Sequence, residues 1–211
     1  MKRRTFMKVL AQAGAVALFW RKDEVAFSQP SGGASLPVRG MPTRVSLAGV
    51  ERGASPKAVK SAVRAAAESA TNFSWLSKGD AVFIKPALNS GNAYPATTSP
   101  EAIAAVVEML KDKGARRVIV GDMCGIEHVK LTQEGLSGSS RSLMEASGIT
   151  RAAQEAGAEP HFFEEAGWSA FYEDFPAAGS RCKQGLMMPK ILKEVDHIIL
   201  MPRCARHALA G

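Results

Sequence analysis

Only three cysteines occur in the 211 residues, Cys124, Cys182 and Cys204, and none forms a Cys-x-x-Cys pair. That excludes a four-thiolate iron–sulfur site built by this chain alone, since such a cluster takes about four ligands at characteristic spacings. An oxidising compartment would permit one disulfide and leave one thiol over, and the spacing does not choose the pair. The chain also lacks a Gly-x-Gly-x-x-Gly or Gly-Lys-Ser/Thr pattern: the loop from Ala87 to Asn92 holds only Gly91, so no nucleotide-binding fingerprint is present. The four histidines, His128, His161, His197 and His207, show no ligand-like spacing, and His197 lies inside a strand pattern, where a structural role is expected. No apolar run is long enough to span a membrane. The longest, Val9 to Trp20, is interrupted by Gln12 and Gly14 and closed by Arg21 and Lys22, short of the roughly 20 residues a spanning helix needs.

What is present at the start is an export address. A basic segment from Lys2 to Lys8 contains the adjacent pair Arg3 and Arg4 ahead of Phe6, the apolar run follows, and the small-residue tripeptide Ala26-Phe27-Ser28 suits cleavage before Gln29. Residues 1–28 therefore read as a twin-arginine signal peptide, with the twin-arginine translocase as partner and the periplasm as destination. Residues 29–42, rich in Pro, Gly and Ser, read as a linker, and 43–211 as one α/β domain.

The signal also accounts for most of the charge. The whole chain is formally +7, and Lys2, Arg3, Arg4, Lys8, Arg21 and Lys22 against Asp23 and Glu24 contribute +4 of it, leaving +3 for residues 29–211. A basic pI that resides in a leader is no argument for a nucleic-acid partner, which calls for a basic patch on one face.

Along the domain, apolar runs alternate with helical periodicity. Arg44 to Val50 reads as a short strand, and Pro56 to Ala70 as an alanine-dense helix capped by Ser55 with Pro56 in its first turn. The continuous apolar run Ala81 to Ile84 is the profile of a strand buried on both faces. After a loop from Ala87 to Thr97, Thr98 or Ser99 can cap a helix whose stripe is Ile103, Val106, Val107 and Leu110, closed by Lys111, Lys113 and Gly114. Arg117 to Gly121 is a second buried strand, which makes a right-handed strand–helix–strand unit with parallel strands. A long loop from Asp122 to Ser137, a helix from about Ser140 to Ala156, and a strand at Pro160 to Phe163 follow. The irregular stretch Glu164 to Gly185 carries Trp168, Phe171, Tyr172 and Phe175; loops of this length can cover a site, but the favoured reading is that these aromatics pack the loop onto the body. Pro189 to Val195 reads as a short helix and Ile198 to Met201 as a last buried strand. The sum predicts an open, mostly parallel sheet with helices on both faces.

In such a sheet ligands bind beyond the carboxyl ends of the strands. This chain puts Lys85 and Asn89 after one strand, Asp122 and Cys124 after the next, and Arg203, Arg206 and His207 after the last. Lys85, Asn89, Arg203 and Arg206 are candidates for holding a small carboxylate or phosphate, and Asp122 and His207 for moving a proton.

Four landmarks carry a family likeness: Gly79-Asp80-Ala81-Val82-Phe83-Ile84-Lys85-Pro86; Ala96-Thr97-Thr98-Ser99-Pro100-Glu101; Arg117-Val118-Ile119-Val120-Gly121-Asp122; and Met201-Pro202-Arg203-Cys204-Ala205-Arg206-His207. From about residue 43 onward the chain resembles the family called domain of unknown function 362. It departs from the family pattern where Lys-Pro-Asn is usual, having Lys85-Pro86-Ala87 with an asparagine only at Asn89. It departs again where Pro-Lys-x-Lys-x-His is usual, with Arg203 and Ala205 in the lysine places, which removes support for any lysine-specific role there. The resemblance implies a longer protein, so the sheet is expected to be incomplete at the C-terminus. It also implies that an iron–sulfur module, with a redox partner, enters only through additional sequence or another chain. Similarity of the family to lactate racemase-like proteins implies small hydroxy- or carboxylic-acid chemistry.

Overall fold

The computed structural model describes residues 18–21, 45–175 and 184–203, the first four by their backbone. Five strands form the main sheet: β1 (Leu18–Arg21), β2 (Ala81–Pro86), β3 (Arg117–Asp122), β6 (Glu159–Phe162) and β9 (His197–Met201), in the order β1-β9-β2-β3-β6. Strands β9, β2, β3 and β6 are parallel, and β1 runs antiparallel to β9 with Leu18 opposite Leu200. Two small antiparallel hairpins stand apart: β4 (Lys130–Leu131) with β5 (Leu136–Ser137), and β7 (Phe171–Asp174) with β8 (Leu186–Pro189). The α/β class with a parallel sheet flanked by helices is the one the alternating pattern calls for.

Helix α1 (Pro56–Ala70) starts where Ser55 accepts the Ala58 N–H, with Pro56 supplying a preset φ in the first turn. Helix α2 (Pro100–Asp112) is capped by Ser99, which accepts the Ala102 N–H, and carries Glu101 and Lys111 at the ends the helix dipole favours. Its stripe Ile103, Val106, Val107 and Leu110 is fully buried, each side chain worth roughly 1.5–3 kcal/mol of burial. It packs in one cluster with Val82, Ile84, Val118, Val120, Ile199 and Met201 of the sheet, joined by Ala67 of α1, Met144 of α3 (Ser140–Ala146) and Ile149 and Ala153 of α4 (Ile149–Glu155). The opposite sheet face meets different elements. There Ala81, Phe83 and Ile119 pack with Phe163, Ile191 and Val195, so this side is covered by the 3-10 helix Lys190–Lys193 and the β7–β8 hairpin.

Several boundaries differ from the sequence expectation, each for a local reason. Residues 45–50 form no strand: Val45 and Leu47 stay largely exposed, and no neighbouring strand among the described residues offers them a ladder. The single helix expected from Ser140 to Ala156 is two. Gly148, at φ +82, adopts the left-handed conformation that ends α3 and redirects the chain into α4. The stretch from Glu164 to Gly185 is partly regular, with a 3-10 helix at Trp168–Ala170 followed by β7, which pairs with β8 just beyond Gly185. Of Pro189 to Val195 only Lys190–Lys193 is helical, as a 3-10 helix rather than an α-helix, and Pro189 ends β8.

Candidate functional site

Parallel pairing brings the carboxyl ends of β9, β2 and β3 to one edge, with Pro86 opposite Met201 and Ile84 opposite both Ile199 and Val120. Strand alternation turns Lys85 to the face of Phe83, the only exposed position in β2. Its ammonium reaches the Asp122 carboxylate at the end of β3, Nζ to Oδ1, at 2.8 Å. The two partners sit in different media. Lys85 is 45% exposed and Asp122 only 4%. The buried carboxylate is also held by backbone: Met123 N–H donates to Oδ1 at 2.9 Å and Leu88 N–H to Oδ2 at 3.3 Å. Burial pushes the Asp122 carboxyl above the ordinary carboxylate range, and the Lys85 charge together with those donors offsets only part of it.

The rim beside this pair is tied together by a residue the sequence left as one of two possible helix caps. Thr98 does not cap α2; its hydroxyl accepts the Ala87 N–H at 2.8 Å and donates to the Met201 carbonyl at 2.7 Å, fastening the loop after β2 to the end of β9. Arg203 is drawn to the same loop, Nη1 donating to the Pro95 carbonyl at 3.1 Å. Asn89 is exposed, one residue past the Leu88 N–H that Asp122 accepts. So Lys85 and Asp122 are brought into contact, Arg203 is held at the neighbouring loop, and Arg206 and His207 lie outside the described residues.

Sequence reasoning missed three features. Behind Asp122, the Cys124 N–H donates to the Ser140 hydroxyl at 2.8 Å and the Ser140 N–H to Glu164 Oε1 at 2.6 Å, a chain of buried groups that anchors α3 to the strand ends. An acid directly after Phe162-Phe163 was the available signal. The Cys124 thiol is buried, and burial pushes its pKa up, away from thiolate reactivity; Cys182 and Cys204 lie outside the described residues. Among the described residues no group of three or more His, Cys, Asp or Glu side chains is placed to hold a metal ion, so this part of the chain offers no cluster ligand set. At the opposite edge of the sheet, His197 Nε2 lies 2.8 Å from Asp80 Oδ2, with the Trp75 ring against it edge-on at 4.8 Å. This Asp80 partner, which holds the ring in place, is the second feature the sequence did not single out.

The third feature is a pocket of about 640 Å³ on the Phe83 face, running from Lys85 and Asp122 to Asp196 and lined between by apolar side chains from the sheet, the 3-10 helix and the β7–β8 hairpin. Phe171 is one of them, stacked on Trp168 at 6.4 Å, so part of the aromatic stretch does border the site, whereas Phe175 is exposed.

An open α/β domain with a charged pair at the C-terminal edge of its parallel strands is the class this arrangement defines. Within it, the family described as Domain of unknown function (DUF362) matches residues 82–211, more than half of the sequence, and the chain belongs to that family. No curated protein and no solved structure gives a match.

Proposed function

We propose that this is an exported, periplasmic α/β protein, its β1 segment leaving with the signal peptide, that binds a small anionic ligand, a carboxylate or phosphate, at the C-terminal ends of β2, β3 and β9. The observation that supports it most is the half-exposed Lys85 ammonium, fixed at 2.8 Å from a buried Asp122. Lysine has three N–H donors, and here one is engaged by Asp122 and a second directed at 3.4 Å to the Pro86 carbonyl, which leaves one for a ligand. Arg203 and Asn89 would add charge and a hydrogen bond from the adjoining loops, and Arg206, outside the described residues, would add a further cation. Asp122, whose proton affinity is raised by burial, or His207 would transfer a proton if the bound molecule is turned over. A thermal-shift screen of the full-length protein against carboxylates and phosphates tests this. Stabilisation by at least one class, lost in Lys85→Ala, is expected; no shift by any anion, or a shift indifferent to Lys85→Ala, would contradict it.

A second reading, a redox protein whose iron–sulfur centre comes from further sequence or a partner, draws its support from Arg3-Arg4, because the twin-arginine route accepts folded, cofactor-loaded proteins. Iron and sulfide analysis after anaerobic purification separates the two.

A further inference from the structure

The sheet face bearing Lys85 is apolar where water reaches it. In β9, His197, Ile199 and Met201 are buried toward the helices, whereas Ile198 and Leu200 on the other face are only half-buried. A sheet face meant for solvent normally alternates to polar side chains. Here the open positions remain aliphatic, and with Phe83, Met123, Phe171 and Leu192 they line the 640 Å³ pocket, a size within the roughly 300–1,000 Å³ of small-molecule sites.

Among the described residues, the charges in that pocket are confined to its two ends. At one is the Lys85–Asp122 pair, with a lysine donor to spare. At the other is Asp196, whose carboxylate accepts the Ala81 N–H at 2.8 Å and would repel a second anion. Between Ala81 and Lys85 the strand advances four residues, about 13 Å at ~3.3 Å each. We infer, building on the anion site proposed above, that the ligand is an amphipathic monoanion. Its carboxylate or phosphate head meets Lys85, and an apolar tail of medium length lies along Phe83 and Ile198 toward Val195. Met123, Met187 and Met188 supply an adaptable lining, suited to tails of differing shape.

Calorimetric titration of the full chain with butyrate, hexanoate and octanoate, with octyl phosphate, and with neutral octanol tests the inference. Affinity is expected to rise about fourfold per methylene from butyrate to octanoate. Lys85→Ala should weaken every anion by a similar factor. Leu200→Gln, or Phe171→Ala should the first variant lose its far-UV circular dichroism, should flatten the dependence on chain length. The octanoate and octyl phosphate arms show which head is taken. Equal binding of butyrate and octanoate, still dependent on Lys85, would overturn the tail and leave the anion site standing. Octanol binding as tightly as octanoate, indifferent to Lys85→Ala, would overturn both, as would no binding by any anion.

Discussion

Lys85 and Asp122 meet at 2.8 Å across two parallel strands, yet the lysine is half in water and the aspartate almost wholly out of it. The carboxylate therefore bears most of the desolvation, and the Lys85 charge offsets part of it. Lys85→Met should cost about 1–2 kcal/mol at pH 8, less than the 3–5 kcal/mol of breaking a fully buried pair, because the ammonium is already hydrated. The loss should shrink as pH falls and Asp122 takes up its proton. Since its folded-state pKa is raised, Asp122 contributes its full stability below the ordinary carboxylate range and loses it as pH rises through the raised value. Urea unfolding of both proteins at pH 8 and at a series of falling acid pH values checks this; a loss that does not shrink anywhere as pH falls would contradict it.

Thr98→Val should deprive two backbone groups of their partner, the half-buried Ala87 N–H and the buried Met201 carbonyl, while keeping the volume. At about 1–3 kcal/mol for the buried carbonyl left unpaired and less for the half-buried N–H, which water can reach, a loss of about 1–4 kcal/mol is expected in urea titration. A Thr98→Val variant as stable as the parent would show that the rim is fastened elsewhere.

How much of this was legible in the sequence depends on the distance over which each signal acts. The strands Ala81 to Ile84 and Arg117 to Gly121, and the stripe of α2, are written in periodicity and caps, and the structure has them at those places. The parallel order then put Lys85 and Asp122 on one edge by topology alone. Thr98 was ambiguous because two adjacent hydroxyls can cap equally well locally; which one does is decided by the Met201 carbonyl, far away in sequence. Residues 45–50 have a strand's composition, but no ladder partner forms beside them among the described residues. The groove was invisible because its walls, Phe83, Phe171 and Leu192, come from three separate elements, and each alone reads as ordinary core.

The Asp80–His197 contact predicts a second pH effect, of opposite sign. Although burial works to raise the Asp80 pKa, the Ser77 N–H and the His197 ring together bring it below the usual value. Its contribution is therefore present above the ordinary aspartate range and lost as pH falls through the lowered one. Asp80→Asn should lower the melting temperature near neutrality and flatten the acid limb of Tm against pH from about 2 to 6. An unchanged acid limb would exclude the contact as its cause.

Gly121 faces His161 across β3 and β6, and a Cβ there would lie 2.5 Å from the His161 carbonyl oxygen and 3.0 Å from Phe83 Cζ. Gly121→Ala should cost about 1–3 kcal/mol by overpacking and, by moving the Phe83 ring that floors the pocket, weaken octanoate more than butyrate. Unfolding and titration of the variant measure both effects.

The most direct test of a ligand at the strand ends is the ¹³C titration of the Asp122 carboxyl by NMR, with and without saturating octanoate. A bound anion beside Lys85 adds negative charge next to a buried carboxylate, so the pKa of Asp122 should rise on saturation and revert when the ligand is removed. An Asp122 titration unmoved by saturating octanoate would place any bound anion away from this pair and contradict the account.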